Sequence, residues 1–326
     1  MNEQTTIITV TLDPSLDRTL VGKNVQLGYN NLFFKRASLD PAGRGINVSR
    51  ALYKLGINTK AILLLGRDPI AKSYLTLIGE EAFEVVVLRT YGFTRSSVII
   101  KDIEKDSETH LVEESSEMSQ DDTDAIALML RQIVKPDDLV LFGGNLPNGV
   151  SEDTYGFLTD VVQEVGGKVA VFNTGRTHPS ELAAEPELFI MSAQEAEGYF
   201  NYPIRSIDDM LGVCRKLLDD GAQTVLLVNQ EYMTGTMVNR QEEWVLQLPI
   251  EHVGTRSGTW DALVGGLLAG NVLYDDVVEA LRMAGAGAVY TYDQLGNTFG
   301  TIDDLKDIMD AVIIEKPTLR ASTENQ

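Results

Sequence analysis

"TTIITVTL" at residues 5–12 is a β-branched run without a polar face, and the order of segments behind it decides the fold. The run reads as a buried strand. After it stand "DPSLD" (13–17) and then "RGINVSRALYKLG" (44–56), where Ile46, Val48, Ala51, Leu52 and Leu55 recur at helical spacing. Gly56 is placed to stop that helix. "NTKAILLLG" (58–66) is the next apolar strand. Strand, helix and strand, with the strands apolar on both faces, build a parallel sheet covered on both sides. "DPSLD" stands where a Gly-rich dinucleotide fingerprint would come after a first strand, which disfavours a dinucleotide oxidoreductase on a similar sheet.

The alternation continues along the chain. "DDLVLFGG" (137–144), "KVAVFNTG" (168–175), "ELFIMS" (187–192) and "TVLLVNQ" (224–230) read as strands. "EDTYGFLTDVVQEVGG" (152–167) and "IDDMLGVCRKLLDDG" (207–221) read as helices, and the chain closes with helices at 261–270, 274–292 and 301–313. Two segments, 18–40 and 94–114, lack helical period and look like mixed-polarity strands. Surface hairpins would explain them. So would a small β-sheet assembled from two insertions and laid over one edge of the main domain as a lid. With no linker, repeat or low-complexity tract, residues 1–326 read as one α/β domain, doubly wound with a mostly parallel sheet.

Composition narrows the function classes. A net charge of −21 opposes nucleic acid or an anionic membrane as the main partner. Any anionic substrate then needs local Arg or Lys. Cys214 sits in an apolar helical stripe and reads as a buried structural thiol. One Cys and three scattered His make a zinc site untenable. The first residues, "MNEQTTIITVTL", lack the basic start and long apolar run of a secretory signal, and no segment approaches a membrane span. A cytoplasmic protein is expected.

Three stretches carry candidate chemistry. In "DPAGRGINVSRAL" (40–52), Gly43 and Gly45 let the backbone approach a ligand at a helix start; Arg44 offers a fork for phosphate, and Asn47 can bond a hydroxyl. Read alone, such a turn is also a common structural device. "DPSLD" puts Asp13 and Asp17 at a strand end, where open α/β sheets bind ligands. "VGTRSGTWDALVGGLLAG" (253–270) leads through small residues to Asp261 in the first turn of an apolar helix. There the helix dipole favours an ionised carboxylate, and the amides of Gly258, Thr259 and Trp260 face any developing negative charge. A plain helix cap would explain the same acid.

Taken together, "TVTLDPSLDRT", "AGRGINVSRALYKLG", "TRSSVII", "GGNLPNGV", "AQEAEGYF", "SGTWDALVGGLLAG" and "AGAGAVYT" resemble, in this order, the PfkB branch of the ribokinase-like carbohydrate kinases. The likeness is greatest to its sugar-phosphate kinases of the 1-phosphofructokinase and tagatose-6-phosphate kinase type. The resemblance implies a ribokinase-like fold with a β-lid, a homodimer joined through that lid, and ATP- and Mg²⁺-dependent phosphorylation of a sugar phosphate. It gives Asp261 the role of general base and Gly258, Thr259 and Trp260 that of anion hole. It implies substrate contacts from Asp17, Gly43, Arg44, Asn47 and Arg95, with Arg44 replacing a Lys near the substrate phosphate.

The departures cluster on the nucleotide side. The family's Gly-Ala-Gly-Asp reads Gly258-Thr259-Trp260-Asp261. Its Asn-x-x-Glu reads Ser192-Ala193-Gln194-Glu195, keeping the acid that the family ties to magnesium through water. Its Ser-Leu-Gly-x-x-Gly turn begins at Asn229 and has lost both glycines. Ser192, Glu195 and Asn229 are the implied nucleotide contacts, with Trp260 expected to restrict or reshape that site. A sugar-phosphate-binding relative with weakened or lost transfer is the second reading.

Overall fold

The computed structural model describes residues 6–33, 35–172, 175, 177–250 and 254–317. β1 (Ile7–Thr11) is buried at every position, as its unbroken apolar run requires. The chain then forms β2 (Ser15–Gly22) and β3 (Lys35–Ala42), turns into α1 (Arg44–Lys54) and returns through β4 (Thr59–Leu65). Next come α2 (Pro69–Ile78), β5 (Glu84–Arg89), β6 (Arg95–Asp102), β7 (Ser107–Val112), α3 (Gln120–Ile133) and β8 (Leu139–Gly143). They are followed by α4 (Thr154–Glu164), β9 (Lys168–Phe172), α5 (Pro179–Ala183), β10 (Leu188–Ser192), α6 (Ala193–Phe200) and α7 (Ile207–Asp219). The chain closes with β11 (Thr224–Asn229), β12 (Thr234–Asn239), β13 (Glu243–Gln247), α8 (Thr259–Leu273), α9 (Val277–Tyr292), α10 (Ile302–Ala311) and β14 (Ile313–Glu315).

Among the described residues ten strands make one sheet, ordered β14-β13-β12-β11-β10-β9-β8-β1-β4-β5. Pairing is parallel from β5 across to β11. Only the β12–β14 edge runs antiparallel. The fold is thus doubly wound α/β with a mostly parallel sheet. β1 lies between β4 and β8, with Ile7 level with both Thr59 and Leu139. The chain builds outward from β1 in one direction and then in the other, so the crevice beyond Thr11 and Gly143 is the switch point where such sheets take ligands.

A second sheet, ordered β3-β2-β6-β7, draws its strands from residues 15–42 and 95–112. β2 and β6 run parallel, with Ser15 beside Arg95 and Asp17 beside Ser97. That register puts all four side chains on one face.

Some boundaries differ from expectation. The closing helix ends at Ala311, because Ile313 pairs with Gln247 as a short edge strand. The helix expected from residue 274 starts at Val277, where Asp276 caps the amides of Val278 and Glu279. Asn173 and Thr174, near the end of the strand expected over 168–175, lie outside the described residues.

α8 is buried at every position from Thr259 to Gly270, so its glycines mark close approaches. A Cβ on Gly266 would fall 2.7 Å from the Met283 carbonyl oxygen and 2.8 Å from Ala284 Cα, both backbone atoms of α9. Ala gains roughly 1 kcal/mol in helix propensity, but overpacking against a rigid backbone costs about 1–3 kcal/mol or more. Gly266→Ala is therefore expected to lower stability by about 1–2 kcal/mol net in urea unfolding. An unchanged midpoint would mean that α9 shifts freely.

Candidate active site

Seven of the ten helices among the described residues begin with a side-chain cap; α1, α4 and α8 do not. α1 and α8 instead start at Gly43 (φ 140°) and Gly258 (φ 75°), conformations that disfavour other residues. Both glycines line one cavity of about 280 Å³ at the switch point, along with Asp13 beyond β1, Ser15 at the start of β2, and Gly144 and Asn145 beyond β8. Two uncapped helix starts thus converge on one space, and each favours an anion there.

Asp261 borders this cavity and is 5% exposed. Asn47 Nδ2 donates to its Oδ2 at 2.7 Å, and Arg44 Nη1 lies 3.4 Å from Oδ1. Burial raises the Asp261 carboxyl above the ordinary aspartate value, against the pull of Arg44 and Asn47. The helix dipole, read from sequence, favours the charged form; burial, visible only in the fold, opposes it.

The cavity also contains acceptors in want of donors. Among the described residues, buried Asn47 Oδ1 and Asn145 Oδ1 find no hydrogen-bond partner. Such atoms are rare in folded proteins and fit a ligand rich in hydroxyls. Asp17 accepts from Ser15 Oγ at 2.6 Å; burial pushes its pKa up to about 6 from 3.8, with nearby Asp40 adding to the rise. Its folded form keeps a proton between pH 3.8 and 6 that the unfolded chain has released. Stability therefore falls as pH rises through that window and is level above it. Asp17→Asn should gain up to about 3 kcal/mol over wild type at pH 8 and almost nothing at pH 4, read by urea unfolding at both. Equal gains at the two pH values would discount the buried charge.

The expected phosphate ligands are already engaged. Arg95 Nε lies 3.1 Å from Asp13 Oδ2, and its Nη2 donates to the Asp13 carbonyl oxygen at 3.2 Å. Arg44 stacks over the Phe172 ring, 4.2 Å from the centroid, while it reaches Asp261. Thr259 opens α8 with its side chain turned inward: its Oγ1 donates to the Thr255 carbonyl oxygen at 2.9 Å, while Gly258 and Trp260 line the cavity.

A larger cleft of about 860 Å³ adjoins this cavity, sharing Arg44, Gln230, Arg256 and Trp260 as a common wall. Ser192, Glu195 and Asn229 line it. Glu195 and Ser192 close a capping box on α6: Glu195 Oε2 accepts the Ser192 amide and hydroxyl, each at 2.8 Å. Asn229 Oδ1 holds the amides of Glu231 and Tyr232 at 2.9 and 3.2 Å, which shapes the turn that lost its glycines. The Trp260 indole does not fill the cleft. It is 4% exposed and belongs to the apolar cluster of Phe172, Val228 and Leu263, so it forms wall. Ser97, His110, Asn145, Gln230 and Arg256 were not singled out from sequence. The alternation of Arg95 and Ser97 along one strand face was the available signal for Ser97.

The model of the family described as "pfkB family carbohydrate kinase" matches residues 23–302. The chain is 27% identical to the 1-phosphofructokinase of Haemophilus influenzae over 318 residues, covering 94% of this chain and 97% of that protein. It is 26% identical to the 1-phosphofructokinase of Bacillus subtilis, covering 85% and 89%. In fold it matches phosphofructokinase-2 from Escherichia coli, solved in complex with substrates and products, with a TM-score of 0.84 at 21% identity over 94% of this chain and 99% of that one. Arabidopsis thaliana ribokinase, complexed with ribose and ATP, matches with a TM-score of 0.72 at 14% identity, covering 94% and 98%. Among the described residues no helix is long and apolar enough to cross a membrane.

Proposed function

Because this chain belongs to the pfkB family of carbohydrate kinases and is a phosphotransferase, we propose that it moves the terminal phosphoryl group of ATP to a hydroxyl of a ketohexose phosphate. The observation that carries this reading is the buried Asp261 carboxylate at the start of α8, on the wall of a small polar cavity that opens beside a large cleft. The small cavity takes the sugar phosphate, and the cleft takes the nucleotide. The 1-phosphofructokinase relatives favour fructose 1-phosphate as substrate, with tagatose 6-phosphate the alternative.

In this reading Asp17, Gly43 and Asn47 meet sugar hydroxyls, and the vacant acceptor on Asn47 takes one proton donor. Asp261 accepts the proton of the attacking hydroxyl as its oxygen bonds to phosphorus and the bond to the leaving oxygen breaks. The amides of Gly258 and Trp260, at the positive end of α8, face the charge that spreads over the phosphoryl oxygens. The Thr259 amide contributes less, since it lies 3.4 Å from the Arg256 carbonyl oxygen. Arg44 and Arg95 hold the substrate phosphate by exchanging part of their present carboxylate contacts.

Ser192, Glu195 and Asn229 border the nucleotide. The residues suit Mg²⁺ carried mainly by phosphates and water: Glu195 is half-committed to its capping box, and no group of three or more His, Cys, Asp or Glu among the described residues is placed to hold a metal. Bound there, Mg²⁺ neutralises phosphate charge. Cytoplasmic action and self-association through the smaller sheet, where Leu111 is 55% exposed, belong to the same reading.

The test is ADP release with ATP and Mg²⁺ against fructose 1-phosphate, fructose 6-phosphate and tagatose 6-phosphate. Turnover with one of them is the expected result. No turnover with any sugar phosphate or nucleotide overturns the assignment.

A further inference from the structure

The cleft proposed for the nucleotide is short of positive charge. Glu195, Glu197 and Glu231 line it, and its cationic lining among the described residues consists of Arg44 and Arg256. Arg44 is committed to Asp261 and Phe172. Arg95, in the smaller cavity, is committed to Asp13. The Arg256 guanidinium makes no hydrogen bond, ion pair or ring contact among the described residues, and it borders both cavities.

Its backbone is nevertheless held. The Arg256 amide donates to Glu108 Oε1 at 3.2 Å, and Thr255 Oγ1 donates to Glu108 Oε2 at 2.6 Å. Lys101 Nζ donates to the Gly254 carbonyl oxygen at 3.2 Å. Two strands of the smaller sheet thus fix the loop that carries this arginine, while the side chain stays unengaged.

A phosphoryl group in transit between the cavities crosses their common wall. There it spreads negative charge over its equatorial oxygens, and a guanidinium that is unpaired beforehand loses no carboxylate contact in meeting them. Building on the kinase reading, we infer that Arg256 is a catalytic residue that binds the migrating phosphoryl group more tightly than it binds either ground state. Arg44 orients the base; Arg256 meets the transferred group. Its loop is set by Glu108, so the smaller sheet determines where that charge stands.

The full-length chain is compared with Arg256→Gln and Arg256→Lys. Arg256 is exposed, so both variants should keep the wild-type unfolding midpoint. Arg256→Gln should lower kcat by about 10²-fold or more with the sugar-phosphate KM within about three-fold, and Arg256→Lys should recover part of the loss. An independent readout is calorimetric binding of ADP–Mg²⁺ with sugar phosphate, with and without fluoroaluminate as a mimic of the phosphoryl in flight. The tightening due to fluoroaluminate should fall about ten-fold or more in Arg256→Gln, with ADP affinity unchanged. A kcat within about three-fold of wild type overturns the inference, as does a rise in KM alone or an equal loss of ADP affinity. If wild type turns over no sugar phosphate, the kinase reading fails, while the fluoroaluminate arm still decides the role of Arg256.

Discussion

Asp261→Asn is expected to lower kcat by about 10³-fold while leaving the protein folded, because general-base catalysis contributes about 10²–10⁴-fold. The amide preserves the shape of the carboxylate and can still accept from Asn47, whose Nδ2 lies 2.7 Å from Asp261 Oδ2. It removes a buried charge, which offsets the loss of the Arg44 ion pair at 3.4 Å. Unfolding in urea should therefore change far less than turnover does. The pH profile gives a second check. A base must be deprotonated to act, and burial raises the Asp261 carboxyl, so wild-type kcat should climb with pH along an acid limb above the usual aspartate range. In Asp261→Asn that limb should vanish. A variant with wild-type turnover would return Asp261 to the role of helix cap.

Trp260→Gly, which restores the family's second glycine, should lower stability severely. The indole is 4% exposed inside an apolar cluster. Emptying a buried aromatic site costs about 3–5 kcal/mol, and Gly inside a helix adds about 1 kcal/mol relative to Ala. Trp260→Phe keeps most of the volume and should cost about half as much or less. Urea unfolding of the three proteins measures this series. The opposite outcome, a stable Trp260→Gly protein with much tighter ATP binding, would make the indole an obstruction and not a wall. Burial in the fold sets the expected order; nothing about a Trp in a phosphate loop says, from sequence, which way its ring turns.

Much of the fold was legible because its strands are apolar on both faces. "TTIITVTL" and "DDLVLFGG" can sit only inside a covered sheet, and β1 and β8 are buried at every position. Short edge elements were less so. "AVI" continues the apolar pattern of α10, and only pairing with β13, far away in sequence, makes Ile313 a strand residue. The candidate site divides in the same way. Gly43, Asn47 and Asp261 stand in local patterns whose geometry is set by their own turns and helices. That Arg44 reaches Asp261 across 217 positions, or that Arg95 is claimed by Asp13, depends on side chains meeting through the fold. Arg256 lay in a stretch read for its small residues, and that its guanidinium has no partner among the described residues is visible only in the fold.

The glycine turns that open α1 and α8 have an evolutionary consequence. Mutation exchanges side chains but leaves the peptide amide where it was; proline alone strips its hydrogen. What greets an anion at these two turns is thus written in the path of the chain and not in its letters. The amides at 259 and 260 keep their place whichever residues supply them, so long as the bend at Gly258 survives, even though their buried side chains answer to packing. Two chains alike in path can therefore share more chemistry than a letter-by-letter count of identity suggests.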